Sequence, residues 1–173
     1  VDSGKHPVML RYLDNYVNSR RGINENYARE LFELHTLGAI NYGGVKRPLV
    51  DFELLPDNPY LAIQSFDMGG FASPSVQIAA QYFDDDVYEA AAALTGWRYG
   101  QNGSDVPGGC DSGEFLIEGS DHDGGPKSIL STVPGVIPPD QNAEYEGELV
   151  LRVAAYHPGT AQHIALKLCQ RLI

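Results

Sequence analysis

The stretch from Asn24 to Gly38 constrains the fold of this chain more than any other part of it. Projected at about 100° per residue, Tyr27, Ala28, Leu31, Phe32, Leu34 and His35 fall on one arc, and Glu25, Asn26, Arg29, Glu30 and Glu33 on the other. Such a segment is an amphipathic helix, and its apolar arc has to be covered by something. Asn24 is an N-cap residue type, Glu25 sets a carboxylate at the positive end of the helix dipole, and Gly38 is placed to stop the helix. Glu25, Arg29 and Glu33 follow one another at four-residue spacing, which predicts a structural charge network along the outer face.

Four further helical stretches accompany this one. Pro7 opens the first, with Val8, Leu10, Leu13 and Val17 at helical spacing, and the second is the stretch just described. Asp84, Asp85 and Asp86 open a third that runs from Val87 to Thr95 and ends at Gly96-Trp97. Three consecutive carboxylates also invite a calcium reading, but no loop of alternating oxygen ligands follows, and charging a helix start is the simpler use. Helical spacing resumes at Tyr145, Leu149, Val150 and Val153, breaks at His157-Pro158, and continues through Ala161, Ile164, Ala165, Leu168 and Leu172. His6-Pro7 and His157-Pro158 each set a histidine before the proline that starts a helix, where its ring can cap the entrance.

Between these helices lie two regions, 39–75 and 98–142, broken every few residues by glycine or proline. The first carries too many aromatic and aliphatic residues for a flexible linker and reads as an ordered excursion that wraps the domain or a partner. Within the second, Glu114 to Glu118 is the best strand. The predicted fold is therefore mainly α, an irregular multi-helix domain with long ordered loops and at most a short β element.

At 173 residues the chain is long enough for a single domain, 1–173, that buries a core without disulfides or metal. With 12 basic against 23 acidic residues its formal charge of −11 repels phosphate backbones and anionic lipid, so nucleic acid and membrane surfaces are not expected as partners. No apolar run reaches the roughly 20 residues of a membrane span. Val1 opens without Met or a signal-like segment, and Ile173 cuts an amphipathic helix, which predicts an incomplete fragment of a larger domain.

The residues able to carry chemistry are few. Asp121-His122-Asp123-Gly124-Gly125 sets an imidazole between two carboxylates on a glycine-rich loop, half of a metal site, or else a turn whose carboxylates bond local backbone. His35 lies inside the apolar arc, where a histidine is either a core residue or a ligand awaiting partners from elsewhere, and His163 reads as solvated beside Lys167 and Arg171. Cys110 and Cys169 either pair as a disulfide or remain two thiols, with Cys169 packed as a small hydrophobe. Hydrolase elbows, phosphate loops, zinc-protease motifs and dinucleotide fingerprints are absent from the sequence.

Asn24 to Gly38, read as Asn-Glu-Asn-Tyr-Ala-Arg-Glu-Leu-Phe-Glu-Leu-His-Thr-Leu-Gly, resembles the most recognisable motif of the bacterial family called domain of unknown function 1800. Ala93 to Trp97, His122-Asp123 ahead of Lys127, His157-Pro158 with Thr160-Ala161, and Ile164-Ala165 with Lys167-Leu168 follow in the family's order. The resemblance spans nearly the whole chain, with an expanded stretch between Gly38 and Asp84 and another around Cys110. Members are longer and commonly exported, which implies an internal portion of a longer chain, an extracytoplasmic setting (periplasmic or secreted, with an organelle lumen second) and a more permissive environment for a disulfide. The family brings no established reaction.

Three functions then compete. The first is a structural or accessory subunit that packs on a protein partner or on the remainder of its own longer chain. The second is a metal-assisted hydrolase acting on an extracellular or envelope substrate, with a divalent ion held by His35, His122 and Asp123. Glu30 or Glu33 is a further candidate ligand, yet both project away from His35. The third is a carbohydrate-binding module using Trp97, Tyr99 and Tyr42.

Overall fold

The first helix is shorter than its spacing suggests. In the computed structural model, which describes residues 3–46, 80–101, 111–130, 137, 139 and 141–172, α1 covers only Pro7–Tyr12, with the His6 ring accepting the Val8 N–H as an N-cap. Asp14 then turns left-handed at φ 57°, and Asn15–Val17 form a single 3₁₀ turn. The cause lies in two asparagines that the apolar spacing conceals. Asn15 donates to Leu94 O, Asn18 donates to Ala91 O at 2.8 Å, and both are buried, so this segment is used to bind the end of another helix. Leu10 and Leu13 enter the core while Val8 and Val17 stay exposed.

The diagnostic helix forms, with an irregularity. The Asn24 side chain accepts the Asn26 N–H at 3.0 Å, and α2 runs over Asn26–Glu30 before widening into a π turn at Leu31–His35. A π turn adds a residue to the helical circuit and rotates everything after it. Tyr27, Ala28, Leu31 and Phe32 are buried as their spacing predicts, but Leu34 and His35 swing outward and Leu37, at 0% exposure, takes the core position. Gly38 closes the segment at φ 82° and donates its N–H to Phe32 O.

A short strand, β1 (Tyr42–Gly44), pairs in parallel with β2 (Tyr82–Phe83), which leads directly into α3 (Asp84–Ala93). The aspartate triplet does local work here. Asp86 accepts the Phe83 N–H, and Asp84 accepts from Arg29 and from the Tyr42 hydroxyl. Asp86 also reaches Leu130, whose backbone N–H bonds it at 2.8 Å. That bond, together with full burial, holds Leu130 at φ 51°, a conformation costing a non-glycine residue roughly 1–2 kcal/mol.

At Gly96 (φ 80°) the chain leaves α3 for β3 (Trp97–Gln101), which pairs antiparallel with β4 (Asp111–Ile117) in the register Trp97 to Ile117 and Tyr99 to Phe115. A Cβ on Gly96 would lie 2.6 Å from Glu118 O, so only glycine fits this exit. The expected strand at 114–118 is thus β4, longer toward its start, whereas β3 falls where the sequence reads as the opening of a loop. Trp97 is fully buried, stacks edge-on against Phe115 and donates from Nε1 to Ala143 O.

Two helices complete the order. Asn142 caps α4 (Ala143–Tyr156) by accepting the Glu144 and Tyr145 N–H groups, and buried His157 caps α5 (Pro158–Leu172) by accepting the Gly159 N–H at 3.0 Å. Gly147 on α4 leaves room for the Trp97 ring, which would sit 2.1 Å from a Cβ at that position. The fold is mainly α with a small β element, and the α2, α3 and α4 apolar faces meet in one core with β3. Most of the expected excursion at 39–75, and Cys110, lie outside the described residues. Among the described residues, no helix is long and apolar enough to cross a membrane.

Candidate functional site

The polar residues of the sequence do gather in one place, at the junction of α3, α4 and the loop between β4 and α4. Thr95 stands just beyond α3 and donates its hydroxyl to Ala92 O, leaving Oγ1 to accept the Asp123 N–H at 2.8 Å. The same residue fixes His122, whose Nδ1 lies 3.0 Å from Thr95 O. The Thr95 hydroxyl lies 3.2 Å from the same nitrogen, so the ring meets both the backbone and the side chain of Thr95. On the other side of the ring, Nε2 lies 3.4 Å from Glu146 Oε2.

Glu146 is the centre of the cluster and is 0% exposed. It forms an ion pair with Lys127, Nζ to Oε2 at 2.8 Å, and Lys127 is itself 2% exposed. The ammonium also donates to Asp123 O and Gly125 O, with Asp123 Oδ1 3.8 Å away. Lys127 is held in place through its own backbone, which exchanges both hydrogen bonds with Ile137. The ammonium is thus hydrogen-bonded to two carbonyls and ion-paired with one buried carboxylate. His122 Nε2 and both Glu146 oxygens are buried without a hydrogen bond of acceptable geometry.

One further carboxylate borders the group. Glu89 on α3 is half-buried and accepts weakly from the Ser128 N–H, and burial raises its pKa above the ordinary 4.5, with nearby Asp123 and Asp86 adding to the rise and Lys127 opposing it. Arg98 seals the neighbouring turn, donating to Asn18 O at 2.9 Å and pairing with Asp121 at 2.7 Å.

The site residues expected from sequence divide cleanly. His122 and Asp123 do sit together, but His35 is exposed on the π turn of α2 and is not brought to them. Among the described residues, no three His, Cys, Asp or Glu side chains are arranged to hold a metal ion. The ammonium of Lys127 occupies the position beside Glu146 that a cation would need. In the charge network Arg29 binds Glu25 at 2.8 Å, and it also reaches Asp84 on α3 at 2.9 Å. Cys169 is exposed on α5, not packed, and the proposed pairing with Cys110 lies outside the described residues. Trp97 and Tyr99 are buried, so neither is available to stack on a sugar, and Tyr42 is bound to Asp84.

Sequence reasoning missed Glu146. The signal was present: Ala143, Leu149 and Val150 stand three before, three after and four after it, which places a carboxylate on the buried arc of α4. It also misplaced His163, whose ring lies over Gly38, with Nδ1 2.2 Å from where a Cβ would be.

Trp97, His122 and Lys127, from two stretches of the chain, are thus brought against one helix, α4, with Thr95 and Asp123 bracing them. The family model described as protein of unknown function (DUF1800) matches residues 1–173, the whole chain. The chain belongs to that family. No curated protein matches it, and no solved structure matches it. For this DUF1800 chain, then, what the residues do has to be argued from their geometry.

Proposed function

We propose that the chain is a structural or accessory module of a larger assembly outside the cytoplasm, whose polar motif residues stabilise the fold instead of acting on a substrate. The observation that carries this reading is the sealing of the Lys127–Glu146 pair: at 2% and 0% exposure neither group can be reached by a reactant without the loop unfolding. Lys127 is spent on Asp123 O, Gly125 O and Glu146, and Thr95 on Ala92 O and the Asp123 N–H, so neither is a free acid, base or nucleophile.

The assembly part of the proposal rests on α5. Ile164, Leu168 and Leu172 are 46%, 57% and 85% exposed, and Leu34 and Ile40 nearby are exposed too, a burden of apolar surface that suits contact with a protein partner or the rest of a longer chain. The extracytoplasmic setting is carried over from the habits of the family.

Elemental analysis of the purified protein tests the reading against metal-assisted hydrolysis. The expected result is no divalent metal at stoichiometric level, in parent and His122→Ala alike. A stoichiometric metal that disappears in His122→Ala would overturn the structural reading.

A further inference from the structure

Helix α5 is docked through its polar side. Thr160 donates its hydroxyl to Ala154 O at 2.6 Å, the His163 ring covers Gly38, and Lys167 donates to Leu34 O at 2.9 Å. At about 100° per residue these three and buried Gly159 share one side of the helix. Opposite them stand Ala161, Ala165, Leu168 and Leu172, and from Ile164 to Leu172 every residue is exposed among the described residues. An amphipathic helix ordinarily turns its apolar stripe to its own core. Here the stripe points away from it.

The spacing of that stripe is specific. Positions 161, 165, 168 and 172 advance by four, three and four residues, the seam of a two-helix coil. Along the seam two alanines are followed by two leucines. Turned antiparallel against a second copy, it sets Ala161 opposite Leu172 and Ala165 opposite Leu168, so every layer joins a small side chain to a large one. A parallel pairing would set alanine on alanine and leucine on leucine, with gaps in one half and crowding in the other.

The charges fit the same arrangement. Helix α5 carries Lys167 and Arg171 and no carboxylate. Lys167 is turned to Leu34 O on the side away from the seam, and the antiparallel register brings Arg171 beside Ile164 of the other copy, whose surface its stem can cover. No like-charged side chains meet across the seam. Each copy's body is held on the side of α5 opposite to the seam, so the two bodies lie on the outer sides of the helix pair.

We propose that α5 is a self-association helix whose partner is α5 of a second copy, packed antiparallel about a two-fold axis between Ala165 and Leu168. This rests on the reading of the chain as a module of an assembly, and it names the partner. The contact is a strip about 18 Å long and about 10 Å wide, smaller than the roughly 800 Å² per partner of a stable interface. The charge of −11 on each copy adds repulsion. The dimer is therefore weak, with a Kd between about 10 μM and about 1 mM, and it tightens as salt screens the repulsion.

The test is sedimentation equilibrium of the full chain from about 10 μM to about 1 mM. A monomer–dimer equilibrium is expected, weakened about tenfold or more by Leu168→Glu, which buries a charge in the seam. Ala165→Leu sets leucine against leucine and should also weaken pairing, whereas Ala165→Leu/Leu168→Ala restores a small-to-large layer and should return to within about threefold of the parent. A chain that stays monomeric, a dimer indifferent to Leu168→Glu, or a swapped variant no tighter than Ala165→Leu alone would overturn the proposal. So would a monomer that binds phosphatidylglycerol vesicles and releases them on Leu168→Glu, which would give the face to a lipid surface. Elemental analysis reads none of these outcomes, so loss of the second copy and loss of the structural reading are told apart.

Discussion

Helices α4 and α5 follow one another through a single histidine, are nearly equal in length, and treat their side chains in opposite ways. In α4, Glu146 is fully buried beside Leu149, Val150 and Ala154. In α5, Ile164, Leu168 and Leu172 face outward, and the helix is held through buried Gly159 and Thr160 at its start, the His163 ring over Gly38, and the Lys167 ammonium on Leu34 O. A buried carboxylate tolerated in one helix and an exposed leucine tolerated in the next have the same explanation. Partners, and not hydropathy, decide position. Glu146 has Lys127 and His122 to meet, whereas Ile164, Leu168 and Leu172 of α5 stay in large part exposed.

The largest expected effect follows from breaking the buried pair. Lys127→Met leaves Glu146 charged and unpaired in the interior, and should cost about 3–5 kcal/mol in denaturant unfolding. The double variant Lys127→Met/Glu146→Leu should recover much of that loss. A single variant as stable as the parent would show that the α4 side of the comparison is mistaken.

A smaller effect is expected at the edge of the same cluster. Because burial raises the Glu89 pKa, the folded state binds its proton more tightly than the unfolded chain, and stability falls as pH rises from 4.5 through the folded value. Glu89→Gln, which keeps an acceptor for the Ser128 N–H, should raise the thermal midpoint at pH 7. The gain should vanish below pH 4.5, the ordinary value. A gain independent of pH would locate the effect elsewhere.

The smallest effect belongs to α5. Leu168→Ser, at a position 57% exposed, should change the stability of the isolated chain by less than about 0.5 kcal/mol. A loss of several kcal/mol would mean that the α5 face is covered within this chain, and the contrast between the helices would disappear.

The helix starts were legible because they depend on neighbours in sequence. Asn24, Asp86 and the two His-Pro pairs cap within three residues, and each does so in the fold. The strand at β4 was legible for the same reason, since the apolar run Phe115-Leu116-Ile117 between two glutamates marks it locally. What failed was everything that depends on a distant partner. The π turn at Leu31–His35 is fixed by Thr36 donating to Leu31 O and by the bond from Gly38 to Phe32 O, and no spacing rule anticipates it. It cost two predictions together, the inward placing of Leu34 and that of His35.

The sequence by itself determined that this chain would be mainly helical, where most helices begin, and the family to which it belongs, since capping chemistry and periodicity are written within a turn or two of the residue concerned. Only the tertiary structure decided that His122 meets Glu146 and not His35, that Arg29 reaches across to Asp84, and that Asn15 and Asn18 grip the end of α3. Those contacts join residues 24 to 79 positions apart, and a buried polar group takes whichever partner the packing of whole helices sets in front of it.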